Sequence, residues 1–592
     1  MTWRSLAKKV ASKNAAWYFN LFLVALIVVV STLFLLRAIG DPDFFWHLKT
    51  GEWIWQNKAL PSQDPFSYTS PAAGTSRERF ILTSYWLSQI IYHLFHAAAG
   101  MYGIVLLRFA VFGALLLVLA RRMRGDRPLA LGLLLLFTIA FLVQYPLDRP
   151  QVFSFLLFGI LLLLLDRARD NAAGARYGIP LLMLLWANMH GGHLLGQAVI
   201  VTYLVMEGLK FLRPGLLSPL APAAYRSLLV SGAAGIACSL MNPNTYHALT
   251  EMLAMPSSMM SVSEYRSSLE SFALGNDYSI LLFWFLMLLA VIGAAVSIRR
   301  LDITEAALLT ATGYFAFTQI RYIAFFLIAA TPAAMRSLSG DNARRWARPL
   351  VLAAALSATA VFARGEIRNI GNIGATSMIS HGLMPESAAA FIEKNDLKGN
   401  MYNHGTWGGY LLWRLGPERK VFIDGRMLYV SIWDQASRID MAYSAGPAGM
   451  PYWKSLLENY NVRYIVSPFF YNTDGQMIPL VSALLRDKDW TPVFIFYNSV
   501  IFVKNTKENS DILEKMKPFL KKEYFGQHML FMVDKHIESY PNEATFYVAQ
   551  GDVCKSMNRY AEAREAYEKA LQIMPFNRIA KERLRLLNGK VN

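Results

Sequence analysis

The chain has 592 residues, of which 54% are hydrophobic and 17% are charged, and its mean hydropathy is +0.30. A soluble protein carries about a quarter charged residues, so this composition excludes an ordinary soluble enzyme and favours a polytopic membrane protein. The net charge of +17 lies largely in short segments between apolar runs, which indicates membrane topology rather than nucleic-acid binding. The two cysteines, Cys238 and Cys554, provide no disulfide framework.

Apolar runs predict about eleven membrane crossings, since a spanning helix needs about 20 mostly apolar residues. The basic start of the chain precedes the first run, and no small-residue cleavage site follows it, which indicates an uncleaved signal anchor. The predicted spans lie near residues 17–37, 101–120, 128–145, 150–165, 178–190, 194–212, 227–241, 278–298, 303–319, 322–338 and 349–363.

The segments that connect these spans fall into two sets by charge. If every predicted helix crosses, all the basic segments lie on one side of the membrane. Because Lys and Arg mark the cytoplasmic side, we predict a cytoplasmic N-terminus and an extracytoplasmic C-terminal part. The basic segments lie near residues 4–13, 121–127, 167–176, 210–226, 299–300 and 336–348.

The loops on the opposite side carry polar residues that are unusual at a membrane edge. Ionisable groups there are costly and often mark function, so we predict one shared extracytoplasmic site. The alternative is that helix ends simply need polar residues. Five loops supply the candidates, which are Asp41, Asp43, His47, Asp148, Arg149, Gln151, Asn188, His190, His193, Asn242, Asn244, His247, Gln319, Arg321 and Tyr322.

The first outside segment, residues 38–100, opens with "DPDFFWH". Asp41 fits the N-cap of a surface helix, Pro42 its first residue and Asp43 a first-turn anion. If Asp41 is occupied by capping, Asp43 is the freer carboxylate for chemistry. The later stretches "WHLKTGEWIWQNKAL" and "SYWLSQIIYHLFHAAAG" predict amphipathic helices that lie on the membrane surface.

Beyond the last span, short strands alternate with helices and predict an extracytoplasmic α/β domain over residues 365–507. The strand candidates are "GNMYN", "KVFID", "VRYIVS", "WTPVFIFYN" and "SVIFVK". Two glycine-containing stretches, "NHGTWGGYLLW" and "VFIDGR", are typical of strand ends, where ligand contacts gather. Tight turns are the alternative explanation for their glycines.

The last segment, residues 508–592, is predicted to be a helical tetratricopeptide (TPR)-like region. A clear repeat over 544–577 carries small and aromatic residues at the positions of a TPR unit, and residues 508–541 form a degenerate one. The unit either binds a protein partner or caps the α/β domain. The matching residues are Tyr547, Gly551, Ala563, Tyr567, Ala570 and Pro575.

This layout resembles the GT-C superfamily of integral-membrane glycosyltransferases, which includes oligosaccharyltransferase catalytic subunits and lipid A aminoarabinose transferases. "DPDFFWH" is similar to the "DPWFNY"-type stretch of oligosaccharyltransferases, which aligns Asp41 with the family's acidic residue. The resemblance implies a polytopic α-helical GT-C-like domain over residues 1–364, followed by the α/β domain and the TPR hairpin.

The resemblance also implies a function. Such enzymes transfer a sugar or glycan from a polyprenyl-phosphate or diphosphate carrier to an extracytoplasmic protein, lipid or polysaccharide, here at a bacterial inner membrane. The implied partners are this lipid-linked donor, the acceptor, membrane lipid and a protein at the TPR unit, but no nucleic acid. The implied catalytic residues are Asp43, Asp41 and His47, and the implied substrate- and phosphate-binding residues are Arg321, Arg149, Asp148, His190, His193, Asn188, Gln319 and Tyr322.

Several alternatives stay open. Asp43, Asp41, His190 and His193 are candidate ligands for a divalent cation such as Mg²⁺ or Mn²⁺, although their spacing matches no dedicated metal motif. The histidines could instead be hydrogen-bonded residues between helices, and Asp148 could pair with its neighbour in the chain. The other candidate functions are a lipid-linked glycan polymerase or ligase, a transporter or flippase, which needs polar residues at mid-membrane, and a TPR scaffold without catalysis.

Overall fold

The computed structural model describes residues 3–71, 74–123, 125–145, 147–169, 173–214, 218–253, 263–275, 279–296, 302–371, 378–380, 382–446, 449–517 and 522–588. Of the predicted basic segments, Arg124 and residues 299–300 lie outside this described part. The chain divides into two units, and each is assembled from three separated segments. The first unit comprises Met1–Asp41, Thr50–Leu60 and Arg79–Ile379, and the second comprises Pro42–Lys49, Pro61–Glu78 and Ser380–Asn592.

Helices occupy most of the described chain up to residue 371. Helix α15 extends past residue 364, so the predicted boundary at 364/365 falls inside a helix. The helices are α1 Trp3–Leu35, α2 Pro42–Asn57, α3 Ser76–Thr83, α4 Trp86–Arg122, α5 Arg127–Gln144, α6 Gln151–Arg169, α7 Ala173–Met189, α8 His193–Leu209, α9 Pro222–Ser239, α10 His247–Leu253, α11 Ser268–Gly275, α12 Ile280–Val296, α13 Ile303–Thr318, α14 Ile323–Leu338 and α15 Asp341–Gly371.

Local sequence signals explain where several helices begin and bend. Asp126 caps α5 by accepting a hydrogen bond from the backbone N–H of Leu129, and Asp302 caps α13 in the same way. Helix α4 contains non-helical dihedral angles at Ala99 and Gly100, where Gly100 has φ +58°. The predicted surface helix and the predicted second crossing therefore meet at this kink.

Each of the eleven predicted spans coincides with a helix in the described part of the chain. Six of these helices are long and apolar enough to cross a membrane, so the chain carries several membrane-length segments, and the count of eleven stays a prediction. The six are Asn14–Leu35, Trp86–Arg122, Arg127–Gln144, Gln151–Arg169, His193–Leu212 and Asp341–Arg364, and Ile280–Val296 is a shorter apolar helix.

Buried aromatic rings hold three of these helices together near the loops that carry the candidate residues. Phe155 of α6 packs against Phe141 of α5 and Phe325 of α14, and both pairs of ring centroids are 5.2 Å apart. Such offset and edge-on contacts stabilise a packed core beyond the burial of area alone. The C-terminal end of α5 and the N-terminal ends of α6 and α14 are therefore held at one place.

The second unit contains a four-stranded sheet with the order β1-β2-β4-β3. Strand β1 pairs in parallel with β2, whereas β4 is antiparallel to both of its neighbours. The elements are α16 Glu386–Lys394, β1 Asn400–Asn403, α17 Gly408–Leu415, α18 Val430–Asp440, α19 Tyr452–Asn459, β2 Val462–Pro468, α20 Pro479–Arg486, β3 Trp490–Phe496, β4 Ser499–Lys504, α21 Ser510–Met516, α22 Lys522–Ser539, α23 Ala544–Ser556, α24 Tyr560–Ile573 and α25 Arg578–Asn588.

One predicted strand, "KVFID", is wrong. Only Val421 pairs with another segment, through an isolated parallel bridge to Ser67. The next backbone N–H, that of Phe422, is bound at 2.8 Å by the side-chain oxygen of Asn403 instead of by a neighbouring strand. A side-chain acceptor has thus replaced the ladder that this apolar run predicts.

The C-terminal helices share a core with the sheet. Ala549 and Val553 of α23 are fully buried in the same cluster as Ile465 of β2 and Phe502 of β4. Gly551 leaves no room for a Cβ beside the ring of Tyr567, as the small residues of a TPR hairpin require. The repeat therefore packs on the rest of the second unit rather than standing apart from it.

A buried histidine makes the second unit sensitive to acid. The ring of His536 lies between those of Tyr497 and Phe546, at centroid distances of 4.0 and 4.9 Å. Burial lowers its pKa from 6.5 to about 4. Because the unfolded chain takes up this proton near pH 6.5 while the folded one does not, stability falls as the pH drops from 6.5 towards 4, by about 2 kcal/mol at pH 5.

We expect His536→Gln to flatten this part of the stability profile. The measurement is the unfolding temperature of the detergent-solubilised protein at pH 7, 6 and 5. His528→Gln on the same helix is the matched control and should keep the wild-type slope. An unchanged slope in His536→Gln would assign the acid sensitivity to another group.

Candidate functional site

Four charged side chains of the first unit line one cavity of about 260 Å³. Asp41 directly precedes α2, and Arg149 lies in the turn between α5 and α6. Glu264 belongs to a short 3₁₀ turn, Ser263–Tyr265, and Arg321 to another, Ile320–Tyr322, between α13 and α14. Short segments between helices thus supply all four groups.

Arg149 holds both carboxylates of the cavity. Its Nε donates to Oδ2 of Asp41 at 2.5 Å, and its Nη1 donates to Oε1 of Glu264 at 2.9 Å. Charge-assisted hydrogen bonds of this kind fix the geometry of both partners. A single guanidinium therefore orients two acidic groups towards the same space.

Arg321 is the second cation of the cavity, and it stacks on aromatic rings. Its guanidinium carbon lies 4.6 Å from the ring centroid of Tyr265 and 5.8 Å from that of Tyr322. Within the described ranges it forms no ion pair with a carboxylate. Glu264, which lines the same cavity, is near enough for an electrostatic interaction with Arg321.

Hydrogen bonds fix the backbone turn that carries Arg321. The hydroxyl of Tyr145 donates to the carbonyl oxygen of Ile320 at 2.9 Å and accepts from the N–H of Ala324 at 3.2 Å. The N–H of Ile320 also donates to the carbonyl oxygen of Arg266 at 3.0 Å. Bonds on both flanks of Arg321 leave its turn little freedom, which favours a preorganised binding group.

Asp148 has a different environment from its neighbour in the chain. It is 1% exposed, does not line the cavity and pairs with the buried Arg108. Nη1 of Arg108 also donates to the carbonyl oxygens of Leu35 and Arg37, at 3.3 and 2.7 Å. Asp148 and Arg149 therefore have separate partners, and Arg108 ties α4 both to the end of α1 and to the turn between α5 and α6.

The predicted histidine pair forms mainly local bonds. Nδ1 of His190 accepts from the N–H of Gly192 at 2.9 Å and lies 2.8 Å from Oγ of Ser154. Nδ1 of His193 lies 3.2 Å from the carbonyl oxygen of His190. Of the two, His190 is the one near enough to Arg321 for an electrostatic interaction.

Two further candidates of the first unit, Asn188 and Gln319, have structural contacts. Oδ1 of Asn188 accepts from Nε1 of Trp86 at 3.0 Å, and its Nδ2 donates to the carbonyl oxygen of Met241 at 2.9 Å. Gln319 follows the last residue of α13, and its N–H closes that helix on Phe315. These bonds join helices and end them, and they leave Asn188 and Gln319 as predicted substrate-binding residues without direct support.

Asp43 and His47 belong to the second unit, together with the first two turns of α2. Asp43 lies in the first turn of that helix, as the capping pattern predicts. His47 is 3% exposed, and its ring lies against that of Trp46 at a centroid distance of 3.4 Å. The three predicted catalytic residues are thus divided between the units, with Asp41 in the first.

The residues that could hold a divalent cation do not form a ligand set. Among the described residues, no three His, Cys, Asp or Glu side chains are grouped so that they could bind one ion. Asp41 accepts a hydrogen bond from Arg149. His190 contacts Ser154 through Nδ1, and Nδ1 of His193 lies against the carbonyl oxygen of His190.

Sequence reasoning missed Glu264, Tyr145 and Arg108. Arg108 could have been found from the sequence, because a lone arginine within an apolar span predicts a buried partner of opposite charge. Glu264 and Tyr145 could not, because a single acidic or aromatic residue near a helix end is ordinary.

Comparison with known proteins supports parts of this description. Residues 544–577 match the family model of the tetratricopeptide repeat. No curated protein sequence matches the chain. Among solved structures, the chain is similar to the archaeal oligosaccharyltransferase AglB from Archaeoglobus fulgidus, in complex with an inhibitory peptide and a dolichol-phosphate, with a TM-score of 0.49 and 13% sequence identity over 94% of this chain and 86% of that one. The C-terminal repeat is therefore a TPR unit.

Proposed function

We propose that this protein is a membrane glycosyltransferase that moves a sugar or glycan from a polyprenyl-phosphate or diphosphate carrier to an extracytoplasmic acceptor. The observation that carries the proposal is the cavity where Asp41, Glu264, Arg149 and Arg321 converge. Two of its charged groups adjoin membrane-length helices, because Arg149 lies between α5 and α6 and Asp41 follows α1. A lipid-linked donor needs such a place, because its chain stays in the bilayer while its phosphate and sugar react at the edge.

Arg321 binds the phosphate of the carrier in this proposal. Its place in the cavity, without an ion pair to a carboxylate within the described ranges, supports the role, because a guanidinium donates two parallel hydrogen bonds to phosphate oxygens. Negative charge grows on the phosphate as its bond to the sugar breaks. A cation held in place before the reaction stabilises that charge without reorganisation.

The two aspartates of the "DPD" stretch act on the acceptor. Asp41 and Glu264, both oriented by Arg149, hold the acceptor for in-line attack. Asp43 is the proposed base, since it is the second carboxylate of the "DPD" stretch and lies in the first turn of α2. It takes the proton of the acceptor hydroxyl or amide while the sugar forms its new bond and the carrier leaves as a phosphate.

The proposed location is the inner membrane of a bacterium. The basic segments between spans support a cytoplasmic N-terminus, with the second unit on the extracytoplasmic side. The TPR unit, residues 544–577, serves there as a docking point for a protein partner. This arrangement brings donor lipid and acceptor to the same side of the membrane.

The first test of the proposal is the surface-glycan profile of cells that lack the gene, before and after induced re-expression. We expect one glycan to disappear and to return at a measurable rate on induction. A profile that does not change in any glycan would contradict the proposal and favour a transporter or scaffold.

A binding measurement isolates Arg321. We expect Arg321→Gln to weaken binding of undecaprenyl phosphate by the purified protein about 10- to 100-fold, since hydrogen bonds to charged groups contribute about 1.5–3 kcal/mol. Arg345→Gln, at an exposed position of α15, is the matched control. Equal binding by wild type and Arg321→Gln would remove Arg321 from the proposed role.

A further inference from the structure

The first turn of α2 contacts glycines of the second unit that the proposed reaction does not use. These are Gly409, in the first turn of α17, and Gly425, in the "VFIDGR" stretch. Glycine is often needed for a positive φ, yet neither residue has one. Room for a neighbour, rather than backbone conformation, explains why these two positions carry glycine.

The neighbour at Gly425 is the carboxylate of Asp43. A Cβ on Gly425 would overlap Oδ1 of Asp43 and would lie 2.9 Å from its Cγ, closer than real Cβ contacts come. At Gly409 a Cβ would overlap the carbonyl oxygen of Pro42 and would lie 3.4 Å from Cδ1 of Trp46. The carboxylate and the backbone beside it therefore both rest against residues without side chains.

Gly425 cannot move away from an added methyl group, because both of its neighbours are fixed. Arg426 donates from Nη1 and Nη2 to the two carboxylate oxygens of Asp64, at 2.7 and 3.1 Å. It also donates from Nε and Nη2 to Asp424, at 2.7 and 2.5 Å. All three charged groups are buried, and such a satisfied network is rigid.

A third glycine, Gly408, brings the start of α17 close to the "VFIDGR" stretch. A Cβ on Gly408 would overlap the carbonyl oxygen of Ile423 and would lie 2.6 Å from Cα of Asp424. The start of α17 and the "VFIDGR" stretch thus form one close-packed surface under the first turn of α2. Phe45 extends this contact, because its ring meets that of Tyr410 edge-on at 5.0 Å.

We propose that Gly425 is a positioning residue that acts through Asp43, by leaving the space in which the Asp43 carboxylate is held. The inference rests on the proposed role of Asp43 as base. A methyl group at residue 425 displaces the carboxylate by about the length of a bond, and a misplacement of about 1 Å costs on the order of 100-fold in rate.

The test compares Gly425→Ala, Asp43→Asn and the double variant, using the rate at which the glycan returns after induction. We expect Gly425→Ala to lower the rate about 100-fold. In the Asp43→Asn background it should add less than about a twofold loss, because residues that act as a unit are not additive. Gly340→Ala, where a Cβ meets no atom within 4 Å, is the matched control and should keep the wild-type rate.

The three variants distinguish a failure of the Gly425 role from a failure of the proposed role of Asp43. Normal transfer by Gly425→Ala, or losses that multiply in the double variant, would overturn the positioning role and leave the base role of Asp43 intact. Normal transfer by Asp43→Asn would overturn that base role and the inference with it. A purely structural role for Gly425 predicts the multiplied losses.

A further variant covers the case in which Gly425→Ala does not accumulate in the membrane. Asp43→Gly removes the carboxylate that the new methyl group would meet. If the proposed contact causes the defect, Asp43→Gly/Gly425→Ala accumulates like the wild type. If the double variant also fails to accumulate, the methyl group clashes elsewhere and the proposal is overturned.

Discussion

Asp41→Asn and Asp43→Asn are each expected to reduce glycan transfer about 1000-fold or more while the protein still inserts and accumulates. Asparagine keeps the shape of aspartate but has neither its charge nor its capacity to take a proton. A positioned general base contributes about 10²- to 10⁴-fold to a rate. For Asp41, the change also leaves Arg149 with one carboxylate partner fewer in the cavity.

The transfer activity of both variants is measured as the rate at which the glycan returns after induction. Protein abundance in the membrane fraction shows whether each variant inserts. Asp341→Asn is the control, because the Asp341 side chain is 88% exposed at the start of α15. Full transfer by both variants would show that the "DPD" carboxylates have no chemical role. A loss confined to one of them identifies which carboxylate the reaction uses.

The second large effect is on stability. Asp64→Ala is expected to destabilise the second unit by about 3–5 kcal/mol, because it leaves the buried Arg426 with only one of its two carboxylate partners. Burial favours the neutral acid, but the charge of Arg426 outweighs it and holds the pKa of Asp64 below its usual value. The stabilisation is therefore present at neutral pH and is lost as the pH falls below about 4.

Thermal unfolding of the purified protein, followed by a probe in the second unit, measures this effect. Asp434→Ala is the matched control, because Asp434 forms an exposed pair with Arg438 at 2.8 Å. Exposed pairs contribute about 0–1 kcal/mol. Equal shifts in the two variants would mean that the Asp64–Arg426 pair contributes no more than a surface contact.

Elements defined by neighbouring residues were predictable from sequence. The start of α2 at Pro42 is where the Asp-Pro pair predicts it, and the TPR unit follows from a fixed spacing of small and aromatic residues. The predicted spans coincide with helices for the same reason, because apolar composition over about 20 residues is a local property.

Contacts between distant residues could not be predicted in this way. Arg149 and Glu264 are 115 residues apart, and Arg108 and Asp148 are 40 apart. Nothing near Glu264 in the chain indicates which cation it meets. The failure of "KVFID" as a strand has the same cause, because an apolar alternation does not reveal that the side chain of Asn403 supplies the acceptor.

The division of the second unit into three segments sets the order in which the newly made chain can fold. Residues Pro42–Lys49 and Pro61–Glu78 leave the ribosome about 300 residues before Ser380. At about 5–20 residues per second, roughly 15–60 seconds pass before the third segment of their unit begins to emerge. A soluble fragment that starts at Ser380 never receives them, so it retains Arg426 but lacks Asp64. The second unit is therefore a product of the whole chain and cannot be excised as a C-terminal domain.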